Sequence, residues 1–214
     1  MAPHWNHNTH YHDLLLRHLP VGAVRALDVG CGTGRLTRRL ALRVDRVDAL
    51  DPSPVMVAAA RERTPDRLNA RFTEATLADH PLEPGAYDFV TALSSLHHMP
   101  LGPSLARLRS ALAPGGVLAV CGLYRREDPA DLLWDAAALV PQWTVGASLA
   151  LGRAMTGVPD PDDEGAPMPM LAPSTSLAEI RRAAAEHLPG ARTRRLLFWR
   201  YLLTWRAPGA VYPA

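Results

Sequence analysis

Apolar residues recur along this chain with two periods, and the alternation between them lays out the elements. Short runs rich in Val, Leu and Ala read as buried strands at 25–29, 46–50, 70–75, 87–93 and 117–123. Helical spacing fills the gaps. It covers 33–43 with Leu36, Leu40 and Val44, then 54–61, and 103–112 with Leu105, Leu108 and Leu112. A later helix at 176–188 carries Leu177, Ile180 and Ala184 on one stripe. An initial helix at 13–19 stops at Pro20, and Pro54 suits a first-turn position, where a missing N–H costs nothing. Strands that alternate with helices predict an α/β fold around a parallel sheet.

Two segments break the alternation. Residues 124–175 hold a short helical pattern at 131–141, a weaker one at 143–155, and then a Pro-, Asp- and Met-rich stretch. This insertion is too short for its own core. Its apolar residues, among them Leu132, Trp134, Trp143 and Met155, suit a cap over a pocket; irregular chain packed on the sheet edge is the alternative. Residues 191–206 have the length of a hairpin but no Gly or Asn-Gly turn, so one long bent strand stays open. Their arginines read as a solvated edge that discourages sheet-to-sheet pairing.

Composition narrows the class. The chain has 214 residues, enough for one domain, and a net charge of +2 that gives no electrostatic case for nucleic acid. No apolar run is long enough to span a membrane, and the polar N-terminus lacks a signal-peptide core. Two cysteines, Cys31 and Cys121, do not make a disulfide framework. A cytoplasmic monomer or homodimer is expected. His10 and His12 lack acidic or cysteine partners, so no metal site is expected.

Candidate chemistry centres on Asp28-Val29-Gly30-Cys31-Gly32-Thr33-Gly34, where a strand passes through a glycine turn into a helix. Glycines without Cβ let the backbone lie against a ligand. Backbone N–H groups at the helix start are expected to grip something flat, polar and partly anionic. The spacing misses the dinucleotide fingerprint, because Arg35 stands where its third glycine belongs, and no Lys-Ser/Thr follows as a P-loop needs. Asp51 ends the second strand, where an acid can accept both hydroxyls of a ribose. Asp48, inside that strand, reads as structural or solvent-facing.

The glycine run resembles the D/E-x-G-x-G-x-G signature of class I S-adenosylmethionine-dependent methyltransferases. Leu96-His97-His98 after the fourth strand and Leu112-Ala113-Pro114-Gly115-Gly116 before the fifth resemble the small-molecule members, so the resemblance spans about residues 20–123. It implies a Rossmann-like three-layer sandwich with a seven-stranded, mostly parallel sheet and an antiparallel last strand. It implies one methyltransferase domain over 1–214, with 1–20 as an N-terminal lid and 124–175 as a cap over the acceptor pocket.

The resemblance also implies roles. Gly30, Cys31, Gly32 and Gly34 face the methionine end of the cofactor, with Asp28 helping to orient it, and Asp51 holds the ribose. Pro52, Ser53 and Met56 border the ribose and adenine. Thr76 and Leu77 meet the adenine edge, although Thr76 stands where the family commonly has an acid, and Asp79 is the near alternative. Ser94, Ser95 and Leu96 lie beneath the methyl donor. Tyr11 and His12 belong to the lid, and Asp88 has a structural role. His97 or His98 is the candidate base, His97 preferred; a purely structural role for both is the alternative.

The expected reaction is methyl transfer from S-adenosylmethionine to a small-molecule acceptor, with specialised metabolism as a fitting setting. An RNA or protein methyltransferase is the runner-up. The N/D-P-P-Y/F motif of the amino-methylating members is replaced here by Ala92-Leu93-Ser94-Ser95. A non-catalytic S-adenosylmethionine-binding protein of the same fold is the third reading.

Overall fold

The computed structural model describes residues 7–127, 172–197 and 199–209. The expected cap helices at 131–141 and 143–155 lie outside the described residues. The elements run α1 (His7–Leu16), β1 (Arg25–Val29), α2 (Arg35–Leu40), β2 (Arg46–Asp51), α3 (Pro54–Glu62), β3 (Ala70–Glu74) and β4 (Tyr87–Leu93). A single 3-10 turn (Leu96–His98) follows, then α4 (Leu101–Ala111), β5 (Leu112–Leu123), α5 (Leu177–His187), β6 (Arg192–Leu196) and β7 (Arg200–Arg206).

Seven strands form one sheet in the order β3-β2-β1-β4-β5-β7-β6. The first five pair in parallel, and β7 runs antiparallel to both β5 and β6. The tail is therefore a hairpin. Leu196 pairs with Arg200, and Trp199 takes a φ of 56°, the left-handed conformation that glycine usually supplies in such a turn. No glycine marks this reversal, which is why the sequence left it open.

The sheet is apolar on both faces, as a covered parallel sheet must be. On one face α4 and α5 bury Leu105, Leu108 and Ile180 against Leu27, Val90 and Leu118. On the other, α1 and α2 bury Leu15, Leu36 and Leu40 against Ala26, Phe89 and Ala119. Helix α3 packs beside β3 through Val57, Ala60 and Phe72. Three layers result.

Two helix starts follow local sequence. Ser53 caps α3 by accepting from Met56 N at 3.4 Å, with Pro54 in its first turn. Ser176 and Glu179 form a reciprocal capping box on α5. Helix α2 is shorter than its periodicity suggested, ending at Leu40 rather than 43. Strand β5 begins earlier than expected, at Leu112. Pro114-Gly115-Gly116 sits within it as a register break, since Tyr87 faces Leu112 while Phe89 faces Val117.

Asp48 is 6% exposed and structural. Its carboxylate accepts from Arg25 at 2.9 Å, Arg46 at 2.9 Å and the Tyr87 hydroxyl at 3.1 Å, tying β1, β2 and β4 together at their amino ends. Asp88 accepts from the N–H groups of Val24 at 2.8 Å and Arg25 at 2.9 Å, fixing the entry to β1.

Candidate active site

Strand order reverses between β1 and β4, and in open α/β sheets the crevice outside the carboxyl ends of such strands receives the ligand. The glycine loop leaves β1 at that edge. Gly30, Gly32 and Gly34 have φ of 74°, 52° and 77°, all in the region L side chains avoid. Gly30 rests on Ser95, and a Cβ there would come within 2.2 Å of the Ser95 Cβ. Gly34 lies against Phe72 and Ala60 of the α3–β3 layer. A Cβ at Gly32 would meet no atom within 4 Å, so this glycine gives an outside group close access to the backbone.

The N–H groups of the glycine turn itself are engaged within the protein. Gly30 N and Cys31 N both donate to Leu50 O, at 2.8 and 3.0 Å. Gly32 N donates to Asp51 Oδ2 at 2.9 Å, and Gly34 N to Cys31 O at 2.9 Å. The first three hold the loop onto the end of β2, and the fourth closes the turn on itself. They do not form the donor nest that cradles a phosphate.

Asp51 is 9% exposed and knits the loop to the start of α3. Its second oxygen, Oδ1, accepts from Ser53 N at 2.9 Å. Each carboxylate oxygen has two lone pairs, so both can still accept a hydroxyl. The N-cap of α3 is Ser53, so Asp51 is not needed for that purpose. Beneath the loop, Asp28 is 1% exposed and accepts from Thr37 Oγ1 at 2.6 Å. Burial is the main cause that lifts its pKa from 3.8 to about 6; the Thr37 bond opposes this and the Asp51 charge adds to it. Burial likewise pushes the Cys31 thiol up, so it is no nucleophile. The two carboxylates beneath the loop suit a ligand with positive charge.

The other expected residues fall around this edge. Met56 is buried under the start of α3, next to Ser53 and Pro52. Thr76 is exposed, and its hydroxyl donates to Asp79 at 2.6 Å, so the two act as a pair; Leu77 is a core residue at 3% exposure. Ser95 Oγ donates to Val29 O at 2.6 Å, which locks the end of β4 to the end of β1. Ser94 precedes it with a φ of 56°. Leu96 is buried, while His97 is half-buried and His98 exposed. Their rings do not diverge: the centroids stand 4.0 Å apart.

Tyr11 and His12 are packed down, at 4% and 3% exposure, on the α1–α2 face. The Tyr11 hydroxyl donates to Leu197 O at 2.8 Å. Burial, with the Arg39 and Arg35 charges, lowers the His12 pKa from 6.5 to about 4, so its imidazole is neutral. Among the described residues, no group of three or more His, Cys, Asp or Glu is arranged to hold a metal. No helix there is long and apolar enough to cross a membrane.

Arg200 is a buried residue at this edge that the sequence pattern does not single out. In sequence it is one of the edge arginines, yet it is 6% exposed and its Nη1 donates to Ser94 Oγ. Nothing in the local pattern separates it from Arg192 or Arg194, which are exposed. Only the antiparallel return of β7 brings its first residue to the ligand edge.

Comparison with known proteins agrees with this geometry. A family model described as a methyltransferase domain matches residues 26–116. An uncharacterized methyltransferase of Mycobacterium tuberculosis (strain ATCC 25618 / H37Rv) is 35% identical over 205 residues, 95% of this chain and 98% of that protein. The trans-aconitate 2-methyltransferase of Paracidovorax citrulli is 33% identical over 194 residues, 88% of this chain and 71% of that protein. The solved structure of the 1,6-didemethyltoxoflavin-N1-methyltransferase of Burkholderia thailandensis, which contains S-adenosylhomocysteine, shares the fold. Its TM-score is 0.58 at 18% identity, covering 92% of this chain and 76% of that one. The chain therefore belongs to the class I S-adenosylmethionine-dependent methyltransferases and is an enzyme of that family.

Proposed function

We propose that this enzyme binds S-adenosylmethionine at the glycine loop and methylates a small-molecule acceptor beside Ser94–His98. The observation that carries the reading is the Gly32–Asp51 bond. It places a backbone with no side chain next to a carboxylate that keeps lone pairs for a ribose. When bound, S-adenosylmethionine supplies an electrophilic methyl group on a sulfonium, so the protein has mainly to position and desolvate.

On this reading Gly30, Cys31, Gly32 and Gly34 border the methionine end, over the negative charge of Asp28 and Asp51. Asp51 accepts the ribose hydroxyls. Pro52, Ser53 and Met56 line the ribose and adenine. The Thr76–Asp79 pair and Leu77 form the adenine edge. Ser94, Ser95 and Leu96 make the floor next to the reacting methyl. The first 20 residues, with Tyr11 and His12, close one side, and 124–175 cover the acceptor. His97 takes a proton from acceptors that need to lose one.

The acceptor is read as small because relatives named trans-aconitate 2-methyltransferase align over most of this chain. The setting is cytoplasmic. Calorimetry with S-adenosylhomocysteine, followed by a transfer assay with labelled S-adenosylmethionine and a panel of small metabolites, tests the proposal. Micromolar binding and transfer to one class of metabolite are expected. No affinity for S-adenosylhomocysteine overturns it, and binding without transfer to any metabolite points to the non-catalytic reading.

A further inference from the structure

Residues 75–86 join β3 to β4 from the carboxyl edge of the sheet, and of their side chains Leu77 alone is fully buried. So exposed a stretch gains little from apolar packing, and hydrogen bonds have to hold its backbone. At its start, Ala75 N donates to Asp51 O at 3.1 Å, so the chain leaves β3 directly beside the acid that ends β2. Residues 76–80 then close a turn on themselves. Asp79 N donates to Thr76 Oγ1 at 3.2 Å, Thr76 Oγ1 to the Asp79 carboxylate at 2.6 Å, and His80 N to Thr76 O at 3.1 Å. Near the far end, Gly85 N donates to Ser110 O of α4 at 2.9 Å.

A second grip comes from the same helix. Arg107 of α4 donates from Nε to Leu77 O at 3.0 Å and from Nη2 to His80 O at 2.7 Å. These two carbonyls stand on either side of Asp79 in the chain. A guanidinium is a flat, rigid fork, so it fixes the positions of both acceptors at once. Helix α4 is itself fixed in the core by Leu105, Leu108 and Ala111. The internal bonds therefore give the turn its shape, and Arg107 sets where that shape stands relative to Asp51.

We infer that Arg107 is a positioning residue for the adenine of the cofactor: by holding the Thr76–Asp79 turn beside Asp51, it sets the preference of the site for a base that carries an amino group. The Asp79 carboxylate has lone pairs beyond the one that Thr76 uses, so it can accept from an amino group. An oxo group in the same place would set acceptor against acceptor and leave the carboxylate unpaired. A turn already held in place binds without the cost of ordering it, which is how a residue behind the turn acts on affinity. The inference rests on the S-adenosylmethionine reading proposed above.

The test uses the full chain with Arg107→Ala and Arg107→Lys variants. Calorimetry measures the affinity of each for S-adenosylhomocysteine and for S-inosylhomocysteine, in which an oxo group replaces the adenine amino group. Urea unfolding checks that each variant is folded. The wild type should prefer the adenosyl compound by about tenfold or more. Arg107→Ala should weaken S-adenosylhomocysteine by about tenfold and S-inosylhomocysteine far less, so the ratio of the two falls toward one. Arg107→Lys should fall between, because an ammonium keeps the charge and loses the fork that spans both carbonyls.

An unchanged S-adenosylhomocysteine affinity in a folded Arg107→Ala protein overturns the proposal. So does an equal loss for both compounds, which assigns Arg107 to the general stability of the edge, or a wild type that binds both alike. If the alanine variant does not fold, the lysine variant decides: a narrowed ratio supports the proposal and an unchanged ratio overturns it. A wild type that binds neither compound overturns the S-adenosylmethionine reading itself.

Discussion

Ser95 lies directly beneath Gly30: its hydroxyl donates to Val29 O at 2.6 Å, and its Cβ fills the space that a Cβ on Gly30 would need. The end of β4 thus sets the shape of the loop that leaves β1. Gly30→Ala should destabilise the fold by about 3 kcal/mol, from overlap and left-handed strain together. Gly32→Ala has room for its methyl group and should cost only about 1 kcal/mol, from its positive φ. The order should invert in binding measured on the folded protein. Gly32→Ala, whose methyl stands toward the crevice, should weaken S-adenosylhomocysteine at least about tenfold. Urea unfolding and calorimetry on the pair check both halves.

Asp51 accepts two backbone N–H groups, from Gly32 and Ser53, both at 2.9 Å. Asp51→Asn turns one of its acceptors into a donor facing a donor. Stability should fall by about 1–3 kcal/mol, and S-adenosylhomocysteine affinity by about 30-fold or more. An unchanged affinity in a folded Asp51→Asn protein would remove Asp51 from the ribose site.

Asp28 and His12 give opposed pH dependences. The folded pKa of Asp28 is raised from 3.8 to about 6, so between these values the folded chain binds more protons than the unfolded one. Stability from this group falls as pH rises through that window, by about 3 kcal/mol in all. The folded pKa of His12 is lowered from 6.5 to about 4, so there the unfolded chain binds more protons and stability rises with pH by a similar amount. The two should largely cancel in the wild type between about pH 4 and 6, leaving a rise toward pH 6.5 from His12 and from His18, whose pKa burial also lowers. Asp28→Asn should unmask a rising profile and be the more stable protein at pH 7.5. His12→Gln should unmask a falling one. Denaturant midpoints across pH 4–8 read the slopes.

His97 sits half-buried with its ring against His98, in the turn that follows the Ser94–Ser95 floor. If the acceptor loses a proton to it, His97→Ala should reduce kcat by about 100-fold and remove the acidic limb of the pH–rate profile. An unchanged kcat and pH profile in the variant would leave His97 a purely structural role. Rate measurements from pH 5 to 9 on wild type and variant separate these outcomes.

The sequence by itself determined the alternating strands and helices, because periodicity and burial are local properties of a covered parallel sheet. Strands β1 and β4 fall on their expected bounds, and β2 ends at Asp51 as expected. It also placed the glycine loop and Asp51 at adjacent strand ends, where the structure joins them through Gly32 N. Where a feature depends on contacts distant in sequence, only the tertiary structure decided it. The N–H groups of Gly30 and Gly32 look available for a ligand in the sequence, and β2 takes them through Leu50 and Asp51. Asp48 could have faced solvent until Arg25, Arg46 and Tyr87 closed around it. The tail could be one strand or two until Leu196 and Arg200 were paired across a turn without glycine. That pairing also separated Arg200 from its neighbours. Arginines in an edge strand look alike in sequence, and burial against a residue 106 positions away is what distinguishes this one.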